Sequence, residues 1–435
     1  MISLSEYQNR RQQLAMRLPA GSIALIPAAS ECLRNGDAHY RFRQDSDFYY
    51  LTGFNEPDAV LLIMAGKTGE SVLFNRARNF TEEQWTGTRL GQEGACEQLG
   101  VNAAYPIADL KTRLPEWFAN KTAVYYPVDR YPACDQLVLN TWKTIKGQTR
   151  RGIDAPNAFA DITTTLGEMR LFKSKAEIQS MREAARISVA AHQRAMRTCR
   201  QAQFEYELEA EIVYELARQG CRSMAYDAIV AGGSNACILH YTDNNQALRA
   251  GDLLLIDAGG EYQNYAADIT RTLPVSGRFS AEQKAIYELV LAAQKAGIAC
   301  VRPGCVWEEA QLAIVRVLTS GLIDLSLLQG TIDDLIATEA YKPFYMHRSG
   351  HWLGLDVHDV GRYKVDGNWR KLEPGMVLTV EPGLYIHESI QGIDSRWHGI
   401  GVRIEDDIAV TADGHENLTC ALAVEVNEIE ALVRG

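Results

Sequence analysis

No apolar run in this sequence approaches the roughly 18 residues that cross a bilayer. Its strongest runs, such as Ala59 to Ala65 and Leu253 to Ile256, are far shorter, which excludes a transmembrane helix. The opening stretch, MISLSEYQNRRQQLAMRLPAG, puts charge and glutamine where a secretory signal needs continuous apolar sequence. It reads as an amphipathic helix, and a cytoplasmic location is expected. Nine cysteines lie scattered with no CxxC pair, so reduced thiols are expected rather than a disulfide framework or structural zinc. Positive charge is also short. A net charge of −11 argues against a broad nucleic-acid surface. Low-complexity tracts and repeats are missing as well, which removes the fibrous and disordered classes.

What is present suits a globular chain of two domains: 435 residues, 46% hydrophobic and 23% charged. The division is expected near residues 165 to 175, giving domains 1–170 and 171–435. In the first, short apolar runs (Ile23 to Pro27, Tyr49 to Thr52, Ala59 to Met64, Ser71 to Phe74, Ala123 to Tyr126) alternate with helix-like stretches, the pattern of a small α/β domain. The second opens with Ser174 and Glu177 at capping-box spacing before a helical stripe of Ile178, Met181, Ala185 and Val189. Further helices are expected from Phe204 to Gln219, stopped by Gly220, and after a second capping box at Ser280 and Gln283. Strands are expected at Leu253 to Ile256, Ala267 to Leu273, Met376 to Val380 and Val402 to Val410, making this half α+β.

The segment LLLIDAGGEYQNYAADITRT consists of two β-type runs around a Gln263-Asn264 turn. A two-residue turn there sets position 257 opposite 270 and makes Asp257 and Asp268 diagonal neighbours, about 7 Å apart or somewhat less at Cβ. A lone aspartate is usually a cap or turn residue. Two beside a buried run need a positive partner, either a metal or an arginine such as Arg271.

Three of the nine histidines, His347, His351 and His358, crowd into MHRSGHWLGLDVHDVG; imidazole there can bind metal or serve structurally. Glu381 ends the apolar run Val377 to Val380. Strand alternation puts Arg403 and Glu405 on the face opposite Val402 and Ile404. A salt bridge from Arg403 to either glutamate is the plain structural reading. Together, four carboxylates and one imidazole form a hard, oxygen-rich set suited to manganese or a similar divalent ion. The set is anionic enough to favour two ions over one.

These segments resemble the pita-bread metallopeptidases, whose ligand order Asp, Asp, His, Glu, Glu is matched by Asp257, Asp268, His351, Glu381 and Glu405. The strings ILHYT, HWLGLDVHDVG, LEPGMVLTVEPGLYI and GIGVRIEDD follow in matching order. RFRQDSDFYYLTGFNEPDAVLL and QWTGTRLGQ extend the resemblance to the aminopeptidase P family across the N-terminal half. The departure is MHRSGHWLG, where Arg348 and Gly350 replace the expected glycine and serine or threonine; loop shape and substrate preference are the properties it touches.

The resemblance implies a metal-dependent aminopeptidase that hydrolyses an N-terminal Xaa-Pro bond through a metal-bridging hydroxide, with two divalent ions, most simply manganese. It implies substrate-contacting or proton-handling roles for His240 and His358, with His347, Tyr385 and Arg403 in support. The expected partners are peptides with proline second and further copies of the chain in a dimer or tetramer, not nucleic acid or membrane. Domain 1–170 is expected to serve substrate access and oligomerisation, with Trp85 and Arg89 lining the approach or packing within their own domain. The rival readings are a prolidase, which takes dipeptides, and a non-enzymatic pita-bread binding module. The five retained ligands disfavour the module and a creatinase-like hydrolase.

Overall fold

Ser3 begins the chain's first helix, Leu4–Arg17, by accepting the Glu6 N–H on its hydroxyl. The computed structural model describes residues 2–435 and divides into two units, Met1–Arg170 and Leu171–Gly435. In the first unit a six-stranded sheet runs in the order Ala103–Pro106, Ser71–Asn75, Val60–Met64, Ile23–Pro27, Ala123–Tyr126, Ala158–Asp161. Ile23–Pro27 is antiparallel to Val60–Met64 and parallel to Ala123–Tyr126, so the sheet is mixed. Its core joins Ile23, Leu25, Leu62 and Phe74 to Leu114, Phe118 and Val138 of the covering helices.

The apolar run Tyr49 to Thr52 is not a strand; it closes the helix Ser46–Thr52. Asp45 caps that helix at one end and Gly53, at φ 65°, stops it at the other, so local capping overrides the β-leaning composition. Trp85 does not pack within its domain: it is 87% exposed, on the helix Phe80–Thr86. Arg89 forms an ion pair with Glu82.

The second unit opens on the helix Lys175–Thr198, where both hydrogen bonds of the Ser174–Glu177 capping box form. The helix Ala281–Cys300 carries the same device at Ser280 and Gln283. These two, with Glu205–Arg218 and Trp307–Asp324, bury one face each against the strands. Ile187, Leu208, Ile212, Ile286 and Val290 meet Val230, Leu254, Ile256, Val380, Val402 and Ile408 in one core.

Two antiparallel ribbons carry the chemistry. In the first, Gln263 and Asn264 both take left-handed backbone (φ 51° and 63°), the two-residue turn that matches strand twist. Tyr262 then pairs with Tyr265, and Asp257 with Thr270, in continuous register. The expected strand Ala267 to Leu273 is nevertheless shorter, Thr270–Pro274, because the ribbon pinches at Gly259. A Cβ on Gly259 would overlap the Ala267 carbonyl, so only glycine fits there.

The second ribbon behaves alike. Val377–Val380 pairs with Asp406–Val410, and Gly383–Ile386 with Ile400–Arg403. The expected strand Val402 to Val410 is therefore split at Ile404 and Glu405. Pro382 has no N–H to carry the ladder through, and its carbonyl accepts only the Ile404 N–H, at 3.2 Å. The register across the gap sets Glu381 opposite Glu405.

Candidate metal centre

Strand endings decide which side chains gather. Asp257 and Asp268 flank the pinch of the first ribbon, and Glu381 and Glu405 sit in the gap of the second. The Glu405 N–H donates to the Thr270 carbonyl at 3.1 Å, tying the two breaks together. His351 arrives on a separate segment, held to the strand Val377–Val380 by hydrogen bonds in both directions with Thr379. All five side chains line one cavity of about 760 Å³, as do His240, His347, His358 and Arg403. Asp268, His351 and Glu405 offer ligand atoms lying within 4.8 Å of one another.

The hydrogen bonds orient the donors. His351 Nδ1 lies 2.9 Å from the Trp352 carbonyl, which can only accept, so Nδ1 carries a proton and Nε2 faces the acids. Nε2 stands 3.3 Å from Asp268 and 3.7 Å from Glu381. The Tyr226 hydroxyl reaches Asp257 at 2.6 Å and Asp268 at 2.5 Å, and Thr270 donates to Glu405 at 2.7 Å. One hydroxyl proton cannot serve two carboxylates at once, so the aspartate pair is short of donors.

Charge tells the same story. Burial pushes the Glu381 carboxyl up to about 7, and burial with the neighbouring carboxylates raises Glu405 well above the usual range. Burial alone would lower His351, but its hydrogen bond to Asp268 and the nearby acids hold it at about 9. The buried Asp257, Asp268 and Glu405 and the half-buried Glu381 thus gather around one buried permanent cation, Arg403, and an imidazole. This donor set fits hard divalent ions, which would supply the missing positive charge.

Arg403 corrects the salt-bridge expectation. Its guanidinium donates to Asp257 at 2.7 Å, not to Glu381 or Glu405, and also to Thr270 and Tyr385. Arg271, the other candidate partner of the aspartates, pairs instead with Asp406. Tyr385 is wholly buried and does more than pack. It accepts from Arg403 at 3.0 Å and donates to His347 Nε2 at 2.9 Å, while His347 Nδ1 donates to the Arg348 carbonyl at 2.7 Å. Burial and then Arg403 lower His347 to about 4, so it is neutral and able to accept from the tyrosine. The His358 ring stands edge-on to His351 at 4.3 Å, and burial and His351 lower its pKa.

Residues 179–412 match metallopeptidase family M24, and residues 7–125 match the N-terminal domain of aminopeptidase P. The chain belongs to the aminopeptidase P group of metallopeptidase family M24. It is 47% identical over 434 residues to the Xaa-Pro aminopeptidase of Escherichia coli, covering 99% of this chain and 98% of that one. Human Xaa-Pro aminopeptidase 3 is 35% identical over 92% of this chain and 78% of its own length. Among solved structures, a Pseudomonas aeruginosa aminopeptidase superposes with a TM-score of 0.98 at 50% identity, covering 100% of this chain and 98% of that one. A variant of Escherichia coli aminopeptidase P in complex with substrate gives 0.96 at 47% identity, with the same coverage. The fold is accordingly the α+β pita-bread catalytic domain preceded by a smaller α/β domain.

Three features escaped the sequence reading. Tyr226 sits in MAYDAIV, where nothing marks a tyrosine as the shared donor of two distant aspartates. Glu205 looks like an ordinary first-turn acid, yet it is fully buried and accepts from Gly232 N–H, Asn235, the Tyr241 hydroxyl and Gln246 N–H. It thereby gathers the loop that carries His240. The third is the Lys173–Asp359 ion pair, closed at 2.9 Å with both side chains 1% exposed.

Proposed function

We infer from the cavity and its donor set a metal-dependent hydrolase of N-terminal Xaa-Pro peptide bonds. The chain is an Xaa-Pro aminopeptidase, and the prolidase alternative is not favoured. The carrying observation is the convergence of Asp257, Asp268, His351, Glu381 and Glu405 on one cavity with too little positive charge of their own. In this reading the five side chains hold two divalent ions, manganese being suited to four carboxylates and one imidazole. When bound, the ions supply Lewis acidity and a nucleophile at neutral pH.

The chain's own residues do the rest. Glu381 lines the cavity beside the other donors, where its carboxylate accepts a proton and returns it to the leaving proline nitrogen. His240 and His358 line the same cavity and donate hydrogen bonds to the developing oxyanion. Arg403, through Asp257 and through Tyr385 to His347, fixes one ligand and one wall of the cavity. Proline in the second position leaves the scissile amide without N–H, so nothing in the site needs to accept one.

Nine unpaired thiols suit a reducing compartment, here the cytoplasm. The exposed Trp85 offers apolar surface for assembly into a dimer or tetramer through the N-terminal unit. The deciding experiment is product analysis on three substrates with the manganese-loaded protein: a proline-second tripeptide, its alanine-second counterpart and an Xaa-Pro dipeptide. Cleavage of the proline tripeptide alone, or of it and the dipeptide, is expected. Exclusive dipeptide cleavage would transfer the assignment to prolidase, and equal cleavage of both tripeptides would remove the proline requirement. Metal saturation at one ion with full activity would refute the dinuclear reading.

A further inference from the structure

Arg348 stands directly after His347 in the segment MHRSGHWLG, and its position gives it a purpose. Its carbonyl accepts from His347 Nδ1 at 2.7 Å, which fastens residue 348 to the site. Its side chain lines the same cavity as the five acid and imidazole donors. The guanidinium stacks over Trp369, 4.8 Å from the ring centroid, and pairs with Glu308 in the first turn of the helix Trp307–Asp324. Lys364 approaches the same indole at 4.4 Å, so two cations share this ring.

The Arg348 side chain is still 49% exposed. Glu308 takes two of the five N–H donors of a guanidinium, and the remaining fork is free to meet a second carboxylate. A cavity with an acidic cluster at one place and a held guanidinium at another is polarised. A short peptide carries its ammonium and its carboxylate in the matching sense.

We propose that Arg348, braced by Glu308 and Trp369, forms a carboxylate subsite that favours peptides bearing a free C-terminus or an acidic side chain beyond the proline. The proposal rests on the Xaa-Pro reading above and names a substrate preference within it. Glu308 has two functions in this arrangement: it aligns the fork and moderates its charge, so its removal strengthens the preference.

The test is steady-state kinetics of the manganese-loaded wild type, Arg348→Gly, Arg348→Lys and Glu308→Gln on three peptides. These are a neutral Xaa-Pro-Xaa amide, its free acid, and an amidated peptide with glutamate after the proline. Arg348→Gly is expected to lower kcat/KM about five- to tenfold, through KM, for whichever peptides carry the carboxylate, as suits a half-exposed charge-assisted contact. The neutral amide should change less than about twofold on the same scale. Arg348→Lys should retain part of the preference, and Glu308→Gln should increase it. Selective loss for the free acid alone identifies the C-terminus as the ligand, and loss for the glutamate peptide identifies the side chain. Equal losses on all three peptides, or no change on any, would overturn the subsite while continued cleavage of the neutral amide left the Xaa-Pro reading intact. Failure of the wild type to cleave any of them would overturn both.

Discussion

Replacing Lys173 by methionine isolates a buried ion pair that lies beneath the histidine segment. Lys173 Nζ is 2.9 Å from Asp359 Oδ2, and both side chains are 1% exposed. Methionine keeps most of the volume but leaves the carboxylate buried without its ammonium, a change that typically costs about 3–5 kcal/mol. At about 2 °C per kcal/mol for a unit of this size, the melting transition of the Leu171–Gly435 unit should fall by roughly 6–10 °C. The consequence should reach the metal site. The Asp359 N–H donates to the Trp352 carbonyl at 2.8 Å, and His351 Nδ1 donates to that same carbonyl. Loosening Asp359 therefore loosens the group that orients His351, and metal affinity should fall about tenfold. Asp359→Leu added to Lys173→Met should recover at least half of the lost stability, since the buried carboxylate that lost its ammonium is then gone. Gly354 offers an independent check, because a Cβ there would strike both the Asp359 carboxylate and the Lys173 Cε, so Gly354→Ala should destabilise too. Thermal unfolding followed by circular dichroism on metal-stripped protein, with metal titration of the folded variants, reads all of this. A shift under about 2 °C for Lys173→Met would refute the reasoning, since the pair would then contribute no more than an exposed one.

Asp268→Ala and Glu381→Ala should each lower turnover about a thousandfold or more with the circular dichroism spectrum unchanged, the scale of losing one preorganised electrostatic group; near-normal rates would mean the site is misassigned. Glu205→Ala strips the acceptor from four donors and should destabilise by about 2–4 kcal/mol, with faster hydrogen exchange confined to residues near 232–246; unchanged exchange there would exclude the loop-gathering role. His192 should make the fold acid-sensitive. Burial lowers it to about 4 from 6.5, Nε2–H donates to the Ala258 carbonyl at 2.9 Å, and Nδ1 has no partner to receive an added proton. Between those pH values the unfolded chain binds the proton and the folded one does not, so stability falls as pH drops from 6.5 towards 4, by about 3 kcal/mol in all. His192→Gln should flatten that part of the stability profile measured by urea unfolding; a profile as steep as the wild type's would assign the acid sensitivity elsewhere.

The sequence by itself determined the elements whose signals are local. Capping boxes at Ser174 and Ser280, the Gln263-Asn264 turn and the stripe of the helix Lys175–Thr198 depend on residues three or four apart, and each formed as expected. Turn length also fixed Asp257 opposite Thr270, because register follows from the turn. The four carboxylates were legible because they adjoin apolar runs or strands with a buried side, where an unpaired carboxylate is costly, whereas His351 was singled out among three histidines by the family resemblance. Tyr49 to Thr52 misled because strand-like composition is weaker than a cap at Asp45 and a left-handed stop at Gly53.

Tertiary structure alone decided who pairs with whom. Arg403 reaches Asp257, 146 residues away, and Lys173 reaches Asp359 across 186, separations no local pattern records. Strand alternation aimed Arg403 into the cavity but could not choose among its acidic partners. That choice was made by the gap at Pro382, which sets Glu381 opposite Glu405 on the cavity and leaves Asp257 as the carboxylate the guanidinium meets.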